Sequence, residues 1–335
     1  MKREMEPAAL PPPAGAPRSA LRDRFLDPRT LISFVILAVV LFVVLTHVQL
    51  DYGQSLRAIT QVNLLIYGLA FVAFYLSFVV RTIRWEILLS NSGESNRFGE
   101  LFHIIILAWF ANCVLPAKMG DFYRAYLLRE QTEVSGSKGL GTIFSERALD
   151  FLVLMSLLVV SGLISFRNSV PARFVPALLV GLVIAAALAG ALLLLRFSHR
   201  RLGSLVPERF RARASRFRDG LLSAFHGRIP MLVGLTVLVW MAESARLFLV
   251  VQAFPLHLSL SIAQIVFIAL VASLLTTIPA LPGGLVLVEG GIITVLVFFH
   301  LTPSQALSVA ILDRIISYWS LIAVGFVTFL LSHRR

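Results

Sequence analysis

The chain has 335 residues, of which 58% are hydrophobic and only 14% charged, with a formal net charge of +12. Ordinary soluble domains carry about 25% charged residues, so an ordinary water-soluble fold is excluded. The basic excess sits between long apolar blocks and not on one folded face, which excludes a nucleic-acid-binding surface and points to anionic lipid headgroups.

In chain order, residues 1–29 combine Pro7, Pro11, Pro12, Pro13 and Pro17 with six basic residues, and predict a disordered cytoplasmic tail. Apolar blocks follow at 31–48, 62–80, 149–166, 174–195, 231–254 and 262–281. Each approaches the roughly 20 residues needed to cross a ~30 Å hydrocarbon core. The first block ends in Thr46-His47-Val48 without a small-x-small cleavage site, and reads as a retained anchor. Arg81, Arg84 and Arg97 after the second block, and Lys118, Arg124, Arg129, Lys138 and Arg147 after the next apolar piece, read as basic inside segments. The piece between them, 101–115, is short for a crossing and predicts a re-entrant hairpin.

Nine arginines between Arg196 and Arg228 mark a cytoplasmic Arg-rich loop, 196–230. Segments 262–281 and 285–300 are joined by Pro282-Gly283-Gly284 and form either two crossings or a second re-entrant pair. The last span, 306–331, returns to the inside before Arg334 and Arg335, so residues 332–335 form a cytoplasmic C-terminus. The predicted fold is all-α: a polytopic helical bundle over 30–331 with six to eight crossings and one or two broken-helix hairpins, in the cell membrane.

The two halves share a pattern. Pro116 is followed by Gly120 and Asp121, and then by Arg147 with Asp150 nearby. Pro282 is followed by Gly283, Gly284 and Glu289, and then by Arg314 beside Asp313. An inverted repeat with broken helices meeting near the midplane fits this order. Charges inside apolar blocks cost about 2.5–3.5 kcal/mol even on the lenient translocon scale, so they pair, face a cavity or act in function. Arg147 with Asp150, and Glu243 with Arg246, are spaced to share a helix face. The bland alternative is a set of local ion pairs fastening helices together.

At Asn112-Cys113-Val114-Leu115-Pro116 and at Pro279 to Gly284, proline and glycine interrupt the helices. A helix restarting after such a break directs free N–H groups at the gap, which suits an anion such as phosphate. Arg124, Arg147 and Arg314 supply charge-assisted donors. The expected substrate-binding residues are therefore Asn112, Pro116, Gly120, Asp121, Arg124, Glu146, Arg147, Asp150, Pro282, Gly283, Gly284, Glu289, Asp313 and Arg314. The glycine-rich run 136–142 lacks Walker spacing and reads as a flexible loop. His47, His103, His257 and His300 form no ligand cluster, and Cys113 is the single cysteine. No catalytic set, metal site or cofactor fingerprint is expected, and the expected partners are membrane lipids, with a homo-oligomer compatible with the sequence.

At Arg81-Thr82-Ile83-Arg84-Trp85, Asn112 through Asp121 with Arg124, Ser145 through Asp150, Pro279 through Glu289, and Arg314, the chain resembles the flippase-like family related to the transmembrane region of lysylphosphatidylglycerol synthases. The resemblance implies translocation of a phospholipid or lipid-linked anion between leaflets. It departs at Asp121, where the family usually has Glu, and at Val286, where it usually has glycine. No soluble aminoacyl-transferase domain is present, so aminoacyl-lipid synthesis is not expected. The competing readings are a membrane-embedded transferase acting on a lipid-phosphate and a non-transporting scaffold.

Overall fold

A computed structural model describes residues 52–115, 118–167, 171, 172, 174–197, 207–225, 227, 229–255, 260–277 and 282–332. The tail 1–29, the first apolar block 31–48, Pro116, Pro279 and residues 333–335 lie outside the described residues.

The described elements are helical, because in hydrocarbon a helix satisfies its backbone polar groups within one segment. They are α1 Tyr52–Thr60, α2 Leu64–Asn91, α3 Phe98–Val114, α4 Met119–Gln131, α5 Gly136–Ser165 and α6 Val175–Phe197. Then follow α7 Glu208–Leu221, α8 Ile229–Gln252, α9 Ile262–Thr276, α10 Leu287–Phe298, α11 Pro303–Arg314 and α12 Leu321–Ser332. Local chemistry sets the starts. The Asn63 side chain caps α2 by accepting from the Leu65 and Ile66 N–H groups. Capping boxes, Ser261 with Gln264 and Thr302 with Gln305, start α9 and α11.

Helices α2, α5, α6, α8 and the rod Pro303–Ser332, in which a π-helical segment Ile315–Ser320 joins α11 to α12, are long and apolar enough to cross a membrane. Their outer faces are apolar: α6 exposes Leu179, Val180, Val183, Ile184 and Leu194. The interior, by contrast, holds Arg81, Arg84, Arg124, Glu146, Asp150, Asp313 and Arg314. Lipid gives no hydrophobic drive for helix association, so close packing and polar contacts carry more of it.

α2 and α8 run antiparallel. The Asn63 N–H donates to the Ala253 carbonyl over 2.8 Å near one end. Further along, Arg84 donates to Thr236 Oγ1 over 2.8 Å, and Asn91 to the Ser223 carbonyl over 3.1 Å. Each of the two helices is followed by a short pair. α3 and α4 have 17 and 13 residues, α9 and α10 have 15 and 12, and each pair packs on itself. None reaches the about 20 residues of a full crossing. α3 lies against α12 and α9 lies against α5, so each hairpin packs on the long helix that closes the other half. Antiparallel leading helices, two hairpins and reciprocal packing are the arrangement that an inverted repeat requires.

Three expectations change. Arg81 and Arg84 are not loop residues: α2 continues past the apolar block to Asn91 and buries both. The run 136–142 is not a flexible loop but the first two turns of α5, capped by Ser135. Its Gly141 meets α7, where a Cβ would strike the Phe217 carbonyl, and a Cβ at Gly220 would strike the Lys138 carbonyl. Finally, the Arg-rich segment contains an ordered helix, α7, whose Arg209, Arg211, Arg213 and Arg216 are exposed.

Candidate functional site

The first break begins where α3 ends at Val114 and Leu115 turns extended. Lys118 then adopts a left-handed conformation (φ 52°, ψ 39°) and α4 starts at Met119. Asn112 Oδ1 accepts from the Gly120 N–H over 2.9 Å. A Cβ at residue 120 would collide with the Ala108 carbonyl and the Asn112 amide, so glycine lets α4 lie directly on α3. Asn112 and Gly120 thus serve each other, and this helix-start N–H group is not free for a ligand. Asp121, in the first turn of α4, receives Arg147 through two bonds, Nε to Oδ2 at 2.9 Å and Nη2 to Oδ1 at 2.7 Å.

The second break repeats this construction. A 3₁₀ turn, Pro282–Gly284, places Gly283 and Gly284 at positive φ, and Glu289 falls in the first turn of α10. Arg314 Nε donates to Glu289 Oε1 over 2.7 Å, and its Nη2 donates to the Gly283 carbonyl over 2.9 Å. Tyr318, in the π-helical segment, bridges the breaks: its hydroxyl donates to the Cys113 carbonyl over 3.1 Å and its ring lies against Gly283.

Between them lies a cavity of about 370 Å³ lined by Asn112, Lys118, Asp121, Arg147, Asp150, Arg246, Gly283, Asp313, Arg314 and the aromatic rings of Phe74, Trp109, Trp240 and Tyr318. A chain of ion pairs links its wall to residues behind it. Arg84 reaches Asp150 at 2.5 Å and Glu146 at 2.9 Å, and Arg124 approaches Glu146 within 2.9 Å. On the other side Glu243 joins Arg81 at 3.1 Å to Arg246 at 3.3 Å, and Arg246 also bonds Asp313. Trp109 lies under Arg81, with the guanidinium carbon 4.7 Å from the ring centroid, and Arg124 lies 3.7 Å over Trp85. Removing one partner from such a buried pair strands the other charge, at about 3–5 kcal/mol.

Of the residues expected from sequence, Asn112, Asp121, Arg147, Asp150, Gly283, Asp313 and Arg314 line this cavity. Gly120, Arg124, Glu146, Pro282, Gly284 and Glu289 stand behind it as packing, ion-pair or turn residues, and Pro116 lies outside the described residues. Arg81, Trp109, Lys118, Trp240 and Tyr318 line it as well and were not among the expected residues. The pair Glu243–Arg246 forms within α8 at 3.3 Å, and each member also reaches another helix, through Arg81 and Asp313, so these ion pairs fasten helices together.

Comparison with known proteins fits this architecture. The pattern of the lysylphosphatidylglycerol synthase transmembrane region matches residues 30–325. The chain belongs to that family. Among its relatives is a UPF0104 membrane protein of Methanocaldococcus jannaschii, 34% identical over 229 residues, covering 68% of this chain and 95% of that protein. A UPF0104 membrane protein of Methanothermobacter thermautotrophicus is 26% identical over 336 residues, with 92% and 95% covered. Glycosyltransferase AglD of Haloferax volcanii matches at 24% identity over 137 residues, which covers 41% of this chain and 22% of that protein.

The carboxylates that line the cavity are each engaged by a guanidinium group. Among the described residues, no group of three His, Cys, Asp or Glu is placed to hold a metal.

Proposed function

We propose that the protein moves an anionic phospholipid or lipid-linked phosphate between the leaflets of the cell membrane, without itself catalysing a covalent reaction. One observation carries this reading: two acid–arginine pairs, Asp121–Arg147 and Glu289–Arg314, occupy corresponding places beside two helix breaks that face one cavity of charged and aromatic side chains. Pseudo-symmetric broken helices around a central site are the arrangement that allows access to alternate between two faces. Ion pairs that fasten each hairpin to the helix after it can open in turn as the cavity is exposed to one side or the other. Exposed arginines on α7 would meet anionic headgroups at the cytoplasmic surface, with both termini on that side.

Vesicles reconstituted with the full chain and a leaflet-reporting fluorescent phosphatidylglycerol provide the test. Faster exchange than in empty vesicles, lost in an Arg147→Ala/Arg314→Ala double variant that still folds, supports the reading. Exchange no faster than in empty vesicles, for any anionic lipid probe, overturns it.

The transferase reading draws on the partial likeness to Glycosyltransferase AglD. General base catalysis needs a carboxylate free to take a proton, and guanidinium pairing of the lining carboxylates counts against it.

A further inference from the structure

Charge pairing around the cavity is uneven. Its four arginines each end on a carboxylate: Arg81 on Glu243, Arg147 on Asp121, Arg246 on Asp313 and Arg314 on Glu289. Asp150, the remaining lining acid, is held by Arg84 and Arg147. Lys118 lines the same cavity, and among the described residues no carboxylate lies within ion-pairing distance of its ammonium. Counted with the residues that these pairs reach behind the wall, the network holds seven cations (Arg81, Arg84, Lys118, Arg124, Arg147, Arg246 and Arg314) against six carboxylates (Asp121, Glu146, Asp150, Glu243, Glu289 and Asp313), and Lys118 is the cation outside the pairs.

Two neutral donors in the wall are also unpartnered. Trp240 is only 7% exposed, and its indole Nε1 has no hydrogen-bond acceptor; nor does the buried Ser317 Oγ have a partner. Buried donors without partners are rare in folded proteins, and their usual explanation is a missing ligand or water. Both side chains belong to the wall that Lys118 also lines.

We infer that Lys118 is the primary contact for the singly charged phosphodiester of a lipid headgroup, with Trp240 and Ser317 as neutral donors to the same ligand. Arg147 and Arg314, already neutralised, then act as positioning residues that hold the hairpins. The inference rests on the translocation reading above and narrows it. A phosphodiester brings one negative charge, which one ammonium balances. A zwitterionic headgroup brings a second, cationic centre, and the lining carboxylates that would receive it are engaged. Selection follows for monoanionic over zwitterionic phospholipid.

The experiment uses the full chain in phosphatidylcholine vesicles with trace fluorescent phosphatidylglycerol or phosphatidylcholine. Lys118→Gln and Lys118→Asn remove the charge, and asparagine tolerates the left-handed backbone that residue 118 adopts. Lys118→Arg keeps the charge. Wild type is expected to exchange the phosphatidylglycerol probe faster than the phosphatidylcholine probe. The neutral variants lose that preference, slowing the anionic probe by about tenfold or more, as expected for a lost charge-assisted bond. Lys118→Arg retains most of it. A purely structural role would slow both probes together. An unchanged ratio between the two probes in either neutral variant overturns the inference.

A second readout separates this from failure of the transport reading. In detergent, short-chain phosphatidylglycerol should raise the unfolding temperature of wild type but not of Lys118→Gln or Lys118→Asn, even if no probe crosses. If the lipid protects the neutral variants as well as wild type, the role of Lys118 is overturned while transport stands or falls on the vesicle result. If inorganic phosphate protects wild type as strongly as the lipid does, the site belongs to a free anion and the headgroup assignment is overturned.

Discussion

The hydroxyl of Tyr318 donates to the backbone carbonyl of Cys113 over 3.1 Å, tying the last long helix to the end of α3 across 205 residues of chain. The Tyr318 ring also fills the space where a Cβ on Gly283 would stand. One side chain therefore contacts both helix breaks. A carbonyl released by the ending helix has no intrahelical partner, so Tyr318 answers a need created by the first break while shaping the second.

Tyr318→Phe is the clean probe of this tie, because it keeps the ring against Gly283 and deletes only the donor. A neutral hydrogen bond contributes about 0.5–1.5 kcal/mol, with a further penalty if the carbonyl stays buried and unpaired. We expect a small fall in unfolding temperature in detergent. Tyr318→Ala should cost more, since it also empties the space between the breaks. An unchanged unfolding temperature in Tyr318→Phe would show that the hydroxyl contributes nothing, and equal loss in the two variants would show that the ring adds nothing beyond it.

The hairpin clasps can be compared directly. Asp121–Arg147 and Glu289–Arg314 are acid–arginine pairs at corresponding positions, each 2.7 Å at its shortest, the first made by two hydrogen bonds and the second by one. Contacting charged pairs give coupling energies of about 0.5–3 kcal/mol in double-mutant cycles. Asp121→Asn with Arg147→Gln, and Glu289→Gln with Arg314→Gln, should each show coupling within that range in unfolding measurements. Arg147 is the more exposed arginine, 31% against 7% for Arg314 by side chain, so water screens its pair more. The second cycle should therefore give the larger value.

Much of this site was legible in the sequence because charge inside an apolar block is expensive and has few explanations. The order Gly120, Asp121, Arg147 and its echo Gly284, Glu289, Arg314 marked both clasps, and the spacing of the echo marked the repeat. Arg81 and Arg84 were harder to place. They follow the last residue of an apolar run, where positive-inside statistics assign arginines to loops. The competing signal was helical phase: Arg81, Arg84, Trp85, Leu88 and Leu89 recur at three- and four-residue spacing and are all buried. Glycines at 136, 139 and 141 suggested a loop, but the Ser135 cap and the close crossing of α7 at Gly141 hold them in a helix. Tertiary contact overrode propensity there. The role of Lys118 was not legible at all, because it depends on which carboxylates the fold assigns to other partners.

Arg84 offers the sharpest stability test. It is fully buried and bonds Asp150, Glu146 and Thr236, thereby joining α2, α5 and α8. Arg84→Met leaves two carboxylates short of a counter-charge, although Glu146 keeps Arg124 and Asp150 keeps Arg147. Breaking a buried pair by removing one partner costs about 3–5 kcal/mol. We expect severe loss of folded protein in detergent. Neutralising one carboxylate along with it, Arg84→Met with Asp150→Asn, should recover part of it, because Glu146 keeps Arg124 and Arg147 keeps Asp121. A double variant worse than Arg84→Met alone would mean that these residues are needed for more than charge balance.

Val286 should move stability the other way. It precedes α10 with φ 68° and ψ −42°, a positive-φ conformation that a β-branched side chain resists. Holding a residue in such a region costs about 1–3 kcal/mol, and glycine removes that strain while adding about 0.5–1 kcal/mol of unfolded-state entropy. Val286→Gly is therefore expected to be neutral to stabilising, by up to about 2 kcal/mol. Val286→Ala relieves only the branching and should gain less. The substitution also loosens the second break, where Gly283 and Gly284 already adopt positive φ. If the clasp Glu289–Arg314 sets the rate of hairpin opening, Val286→Gly should raise the unfolding temperature and change exchange of a phosphatidylglycerol probe in the same preparation. A fall in unfolding temperature of several degrees would show that the side chain of Val286 contributes packing that outweighs its backbone strain.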